Sequence, residues 1–402
     1  MTPTSCKPAA TAGAKPAPIL LRGITWKHTR GLLPMLATAQ RFEETHPGVR
    51  IAWETRSLQA FADEPLDVLA RKYDLLVVDH PSSGLAAATG CLAPLNEALD
   101  AACLRDQETH QVGQSYASYV YEGHLWALPI DAATPVSACR PDLLAAAGER
   151  EPANWEELMH LARRGLVAVP GLAIDSLMHF FMLCHAFGEE PLQSADRVVA
   201  ADAGVEALRC LRALLDACDR ACLERNPIAI WEMLAASDRA AYCPFAYGYS
   251  NYSREGYARH CVQAGELVTL RGERLRSTLG GAGLAISATC SHADVAAEYA
   301  AYVASATCQS TLYFEAGGQP GHRAAWLSDE VNRRSNGFFA RTLPVLDRAW
   351  VRPRFDGYLD FQHDASQALH AYLQRGGSEI ELLDAMNRML ADARGADGKE
   401  KP

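Results

Sequence analysis

No run of Lys or Arg longer than a pair occurs in the 402 residues, so the basic face of a nucleic-acid binder is missing. No stretch is long and apolar enough to cross a membrane. The most apolar one, Gly165 to Gly188, is interrupted by Pro170, Asp175 and His179 and reads as a turn followed by a helix. Met1 to Pro18 is rich in Ala, Thr and Pro, carries Lys7 and Lys15, and lacks the apolar run of roughly 7–15 residues that a signal peptide needs. It reads as a disordered leader, and Gly395 to Pro402 as a disordered tail. The twelve cysteines, Cys6 to Cys308, show no repeated spacing. Several, such as Cys184 in Phe-Met-Leu-Cys, sit in apolar company. Buried free thiols in a reducing compartment are expected, and with them a cytoplasmic location, or a periplasmic one if the start is mis-called or truncated.

Nucleophile, metal and phosphate motifs are lacking too. Cys184 and His185 are adjacent, and on a helix adjacent side chains diverge. Cys210, Cys218 and Cys222 fall at helical offsets of eight and four, but no clustered His completes a four-ligand site, so a buried stripe is expected. Gly280-Gly281-Ala282-Gly283 has neither the spacing of a phosphate loop nor a following Lys-Ser/Thr. No cofactor, metal or catalytic activity is expected.

What is present is a soluble, globular composition with 49% apolar and 21% charged residues and a net charge of -10. The length exceeds one hydrophobic core and predicts two lobes. Ile19 to Trp26 reads as a strand, and Leu32, Met35, Leu36, Ala39 and Phe42 recur at helical spacing. After His46-Pro47-Gly48, Val49, Ile51 and Trp53 alternate as a second strand. Tyr73 to Val78 reads as a buried parallel strand, and Trp126 to Asp131 as a strand leading toward a crossing into the second lobe. Asn154-Trp155-Glu156-Glu157 is a capping box, Asp175-Ser176 reads as a helix cap, and a long amphipathic helix is predicted over Val205 to Glu224.

Several of these blocks resemble the extracellular solute-binding proteins of bacterial ABC importers, especially the sugar-binding group. They are Phe42-Glu43-Glu44-Thr45-His46-Pro47-Gly48-Val49, Pro141-Asp142-Leu143-Leu144 through Asn154-Trp155-Glu156-Glu157-Leu158, Leu279 to Ser287, and Ala316-Gly317-Gly318-Gln319-Pro320. They occur in the family's order. The resemblance implies an α/β, two-lobed type II periplasmic-binding-protein fold with discontinuous lobes and a ligand cleft between them. Residues 19–130 plus about 275–325 would form one lobe, and 131–274 plus about 326–394 the other. It further implies a solute-binding protein closing over a small polar ligand, with an importer permease as partner. A monomer is expected. A cytoplasmic ligand sensor and a hydrolase using Asp79 and His80 are the rival readings.

Candidate binding residues follow from position. Trp26, His28 and Arg30 lie at the carboxyl end of the first strand, where α/β sheets hold ligands; a surface loop with a core Trp is the alternative. Asp79 and His80 follow the third strand, where Asp79 could accept from ligand hydroxyls or cap the next helix. Asp131 stands at the expected crossing between lobes. Asp175 is read as a cap first and a ligand contact second. Tyr247 and Tyr249 fall on one face of a strand and offer stacking surfaces, with core packing as the rival. Gly281 permits close backbone approach. Gln319 and Arg323 add an amide and a guanidinium. The cations His28, Arg30, His80 and Arg323 make a carboxylated solute a rival to a neutral sugar.

Overall fold

The structure, a computed structural model, describes residues 18–396. The expected leader and tail fall outside these, apart from Pro18, Gly395 and Ala396. No helix of the described residues is long and apolar enough to cross a membrane, and the eleven described cysteines are all free.

Apolar residues on the inward side of β1 (Ile19–Trp26), β2 (Val49–Arg56) and the wholly buried β3 (Leu75–Val78) begin the first sheet. β1 pairs in parallel with both neighbours, which requires a crossover between them. Helix α1 (Thr29–Thr45) supplies that crossover and buries Met35, Ala39 and Phe42. Its start is fixed by His28, whose Nδ1 accepts the Arg30 N–H at 3.0 Å. The sheet is completed from distant sequence. β4 (Leu128–Ala133) and the last strand, Gly280–Ile286, bring its order to β2, β1, β3, Gly280–Ile286, β4, with the last strand antiparallel to both neighbours.

A second, three-stranded sheet is formed by β5 (Pro135–Cys139), β6 (Tyr242–Tyr247) and β7 (Gln263–Gly265), with β5 in the middle. The strand Gly280–Ile286 is β8. Around the second sheet pack α2 (Trp155–Arg163), α3 (Ala173–Ala186), α4 (Ala201–Asp216), α5 (Pro227–Ala236), α6 (Tyr358–Arg375) and α7 (Glu379–Ala396). The capping box of α2 forms, with Asn154 Oδ1 accepting from Glu157 N at 2.9 Å. Glu157 reaches back to Ala153 N at 2.8 Å, one residue before the cap itself. Two other local expectations are corrected. α4 ends at Asp216, and a separate short 3₁₀ turn covers Arg220–Glu224. Cys210, Cys218 and Cys222 therefore do not share one helix face; Asp219 caps the turn and breaks the long helix. α3 begins at Ala173, so Asp175 is inside its first turn, not at its cap.

There are two hydrophobic cores. One holds buried residues from Leu21 to Ile130 and from Ala282 to Tyr313. The other, apart from Val112, runs from Ala132 to Leu279 and from Phe314 to Leu390. The chain passes between them three times, and buried polar groups tie the passages together. The Thr134 hydroxyl lies 2.6 Å from the Ser277 hydroxyl and 2.8 Å from the Thr278 carbonyl. Gln319 accepts from Ser250 N at 2.9 Å and donates to Ala132 O at 2.8 Å. Crossings of this kind are where a hinge is built, because a few element ends absorb the dihedral change.

Candidate functional site

Between the cores lies a cavity of about 200 Å³. The first sheet presents Trp26 at the end of β1, Asp79 just beyond β3, Asp131 in β4 and Gly280 to Ala282 at the start of β8. The opposite wall comes from the cap and first two turns of α3 (Leu172, Ile174, Asp175 and Met178), from Asn226 and Pro227 at the start of α5, from Tyr247 and Tyr249, and from Arg352. Phe61, from the short helix Leu58–Asp63, stands over Trp26 with ring centroids 5.5 Å apart. Phe61, Asp79, Leu172 and Ile174 also border a wider chamber of about 620 Å³ that continues along α6.

Two ion pairs organise the floor. Arg30 grips Asp131 with both arms of its guanidinium, Nε at 2.7 Å and Nη2 closer still, and its Nη1 donates to Gly248 O at 2.6 Å. Both partners are buried, and the guanidinium lies over the Tyr249 ring, 4.7 Å from its centroid. Arg352 donates to Asp79 at 2.5 Å and to Gln362 at 3.0 Å. Burial pushes the Asp79 carboxyl up, but Arg352 and His80 outweigh it and hold the group well below the usual carboxylate range. Asp79 does not cap the following helix, whose cap residue is Pro81.

Asp175 differs. It is 5% exposed, it faces the cavity, and no hydrogen bond or ion pair reaches its carboxylate from any described residue. Burial alone pushes it up to about 8. On the facing wall the start of β8 packs too closely to admit side chains. Gly281 has φ +108° and a Cβ there would lie 2.3 Å from Asp131 O, while one on Gly280 would strike the Tyr247 ring at 2.5 Å.

The structure thus brings Trp26, Arg30, Asp79, Asp131, Asp175, Tyr247, Tyr249 and Gly281 to one cavity. Four expected residues are elsewhere. His28 sits behind Tyr249, edge to face at 4.8 Å, because its ring is occupied in capping α1. His80 is buried behind Asp79, packed edge-on against Tyr119, and burial pushes it down to about 4. Gln319 spends its amide on the crossing. Arg323 donates to Gln111 O at 2.8 Å and pairs with Asp347. Phe61, Met178, Asn226 and Arg352 escaped the sequence reading. Asn226-Pro227 is a legible helix start, but nothing in Trp350-Val351-Arg352-Pro353 signals a cavity.

A family model described as a bacterial extracellular solute-binding protein matches residues 37–335. A maltose-bound MalE3 of T. maritima superposes with a TM-score of 0.81 at 18% identity, covering 92% of this chain and 99% of that one. A solute-binding protein of an ABC transporter from Agrobacterium radiobacter, in complex with ribitol, gives 0.80 at 19% identity over 94% and 100%. One from Agrobacterium vitis with bound D-mannitol gives 0.77 at 14% over 95% and 100%. At these identities the superpositions show the fold, two lobes about a cleft. No curated protein matches the chain.

Proposed function

Because this chain belongs to the bacterial extracellular solute-binding protein family, we propose that it captures a neutral, polyhydroxylated solute, a sugar or polyol, and delivers it to the permease of an ABC importer. The observation that carries this reading is the cavity's wall chemistry: Trp26, Phe61, Tyr247 and Tyr249 supply flat apolar faces, and aspartates stand between them. Sugars present apolar C–H faces to such rings and hydroxyl donors to such carboxylates.

A carboxylated solute loses its motive. His28, His80 and Arg323 lie outside the cavity, and Arg30 and Arg352 are neutralised by Asp131 and Asp79. With Asp175 protonated at neutral pH and both arginines paired, the lining offers no free cation to hold an anion. The hydrolase alternative loses its base, since Asp79 is held well below the useful range and His80 does not reach the cavity. Solved proteins of the same fold with maltose, ribitol and D-mannitol bound support the solute class. The family description supports a place outside the cytoplasmic membrane in preference to the cytoplasm that the cysteines suggested.

Thermal denaturation with a panel of sugars and polyols tests the assignment. A ligand at about a hundred times its Kd stabilises the folded state by about 2.7 kcal/mol, so a binder raises the melting temperature in proportion to the logarithm of its concentration. Failure of every sugar and polyol to do so, while an organic acid succeeds, overturns it.

A further inference from the structure

Deepening the sugar or polyol reading, on which it rests, we propose that the natural solute carries a protonated amine, seated against Asp175. The cavity's charges sort unevenly. Arg30 is bound to Asp131 and to the Gly248 carbonyl, and Arg352 to Asp79 and Gln362. Each of those carboxylates already has its counter-charge. Asp175 has none, although it is 5% exposed and lines the same cavity.

An unpaired buried carboxyl is costly when ionised, and proteins retain one where something else completes it. Its position in the first turn of α3 favours the anion, because the uncapped amides there carry partial positive charge. That partial charge comes from Asp175's own helix and does not replace a cation. Cys243, Tyr247 and Tyr249 are close enough for Asp175 to raise their own proton affinity, and across the cavity stand Arg30, Asp79, Asp131 and Arg352, whose two cations are already paired. Burial leaves the carboxyl poised to lose its proton when a positive ligand arrives. The surrounding rings suit an ammonium as well, since Tyr and Trp faces attract cations in a desolvated site. A hydroxyl at the same point would meet a carboxyl that keeps its proton and would gain only a neutral hydrogen bond. An ammonium compensates the charge and donates in the same step.

The test is calorimetric titration at pH 7 of a panel of neutral sugars and polyols, each beside its amino analogue, such as D-sorbitol with 1-amino-1-deoxy-D-sorbitol and D-glucose with D-glucosamine. In the pair that fits the cavity, the amine binds about ten- to a hundredfold tighter, the gain of a charge-assisted hydrogen bond. Asp175→Asn, nearly isosteric and checked for folding by its melting temperature, erases that ratio. If the tightest binder is neutral and its amine is no tighter, the amine inference is overturned and the sugar or polyol reading stands. If no member of either series binds, both fall.

Discussion

Asp131→Asn is the sharpest probe of how this cleft is held. The substitution keeps the side chain's shape but removes the charge that faces the Arg30 guanidinium. Arg30 is 4% exposed, so its charge cannot turn to solvent, and the Gly248 carbonyl is the only other acceptor it holds among the described residues. Removing one partner of a buried pair costs about 3–5 kcal/mol, because the survivor stays buried without compensation. Unfolding entropy of about 2.1 cal/mol/K per residue gives roughly 0.8 kcal/mol/K for the chain, so the melting temperature falls by about 4–6 °C when both lobes unfold together. Calorimetry measures this directly. Arg30→Met combined with Asp131→Leu removes both charges and recovers much of the loss, since a packed apolar pair needs no compensation. A single mutant within about 1 °C of the parent, or a double mutant worse than the single, would refute the claim that an uncompensated guanidinium sets the cost.

Three further outcomes follow from the same geometry. Asp79 is held below its unfolded value by Arg352 and His80, so its contribution to stability is present above about pH 4 and is lost as the pH falls through the folded value. The melting temperatures of the parent and Asp79→Asn therefore begin to converge below about pH 4 in a thermal-shift series, and a gap that stays constant from pH 5 to pH 3 would contradict the pairing. Arg323→Ala leaves ligand affinity within about twofold and lowers stability by less than about 1 kcal/mol, because the guanidinium pairs with Asp347 away from the cavity; a tenfold loss of affinity would place it back at the site. Gly281→Ala forces a side chain into φ +108° against the Asp131 carbonyl, costs about 1–3 kcal/mol and weakens solute binding, whereas an unchanged urea midpoint would show that β8 shifts freely.

Local signals placed much of this site. Trp26, Asp79 and Asp131 are legible because the carboxyl end of a strand is a property of a few consecutive residues, and in an α/β sheet that end faces the ligand. Tyr247 and Tyr249 are legible as an aromatic cluster, but β6 ends at Tyr247 and Tyr249 reaches the cavity from the turn that follows. The ordered blocks from Phe42 to Pro320 carry the family, and the family carries the two-lobed fold. Asp175 was read as a cap because Asp-Ser before an apolar run looks like one. The helix starts two residues earlier at Ala173, where the Gly171 and Leu172 amides both donate to Arg225 O, 54 residues beyond Gly171 in the chain.

Which charges stay free for a solute depended on partners far away in the chain. Arg30 is spent on a residue 101 positions later, and Asp79 on one 273 later. The composition shows cations and carboxylates in comparable number near the cleft segments, and on that evidence an anionic solute and a neutral sugar compete. Three crossings bring β4, β8 and the Trp350–Arg354 segment together, each arginine meets an aspartate there, and that pairing is what favours the neutral solute proposed above. Most of the secondary structure follows from short-range periodicity and is legible in the sequence, although the break after Asp216 and the start of α3 are not. The residual charge of a cavity is a sum over long-range pairs, and only the folded chain forms those pairs.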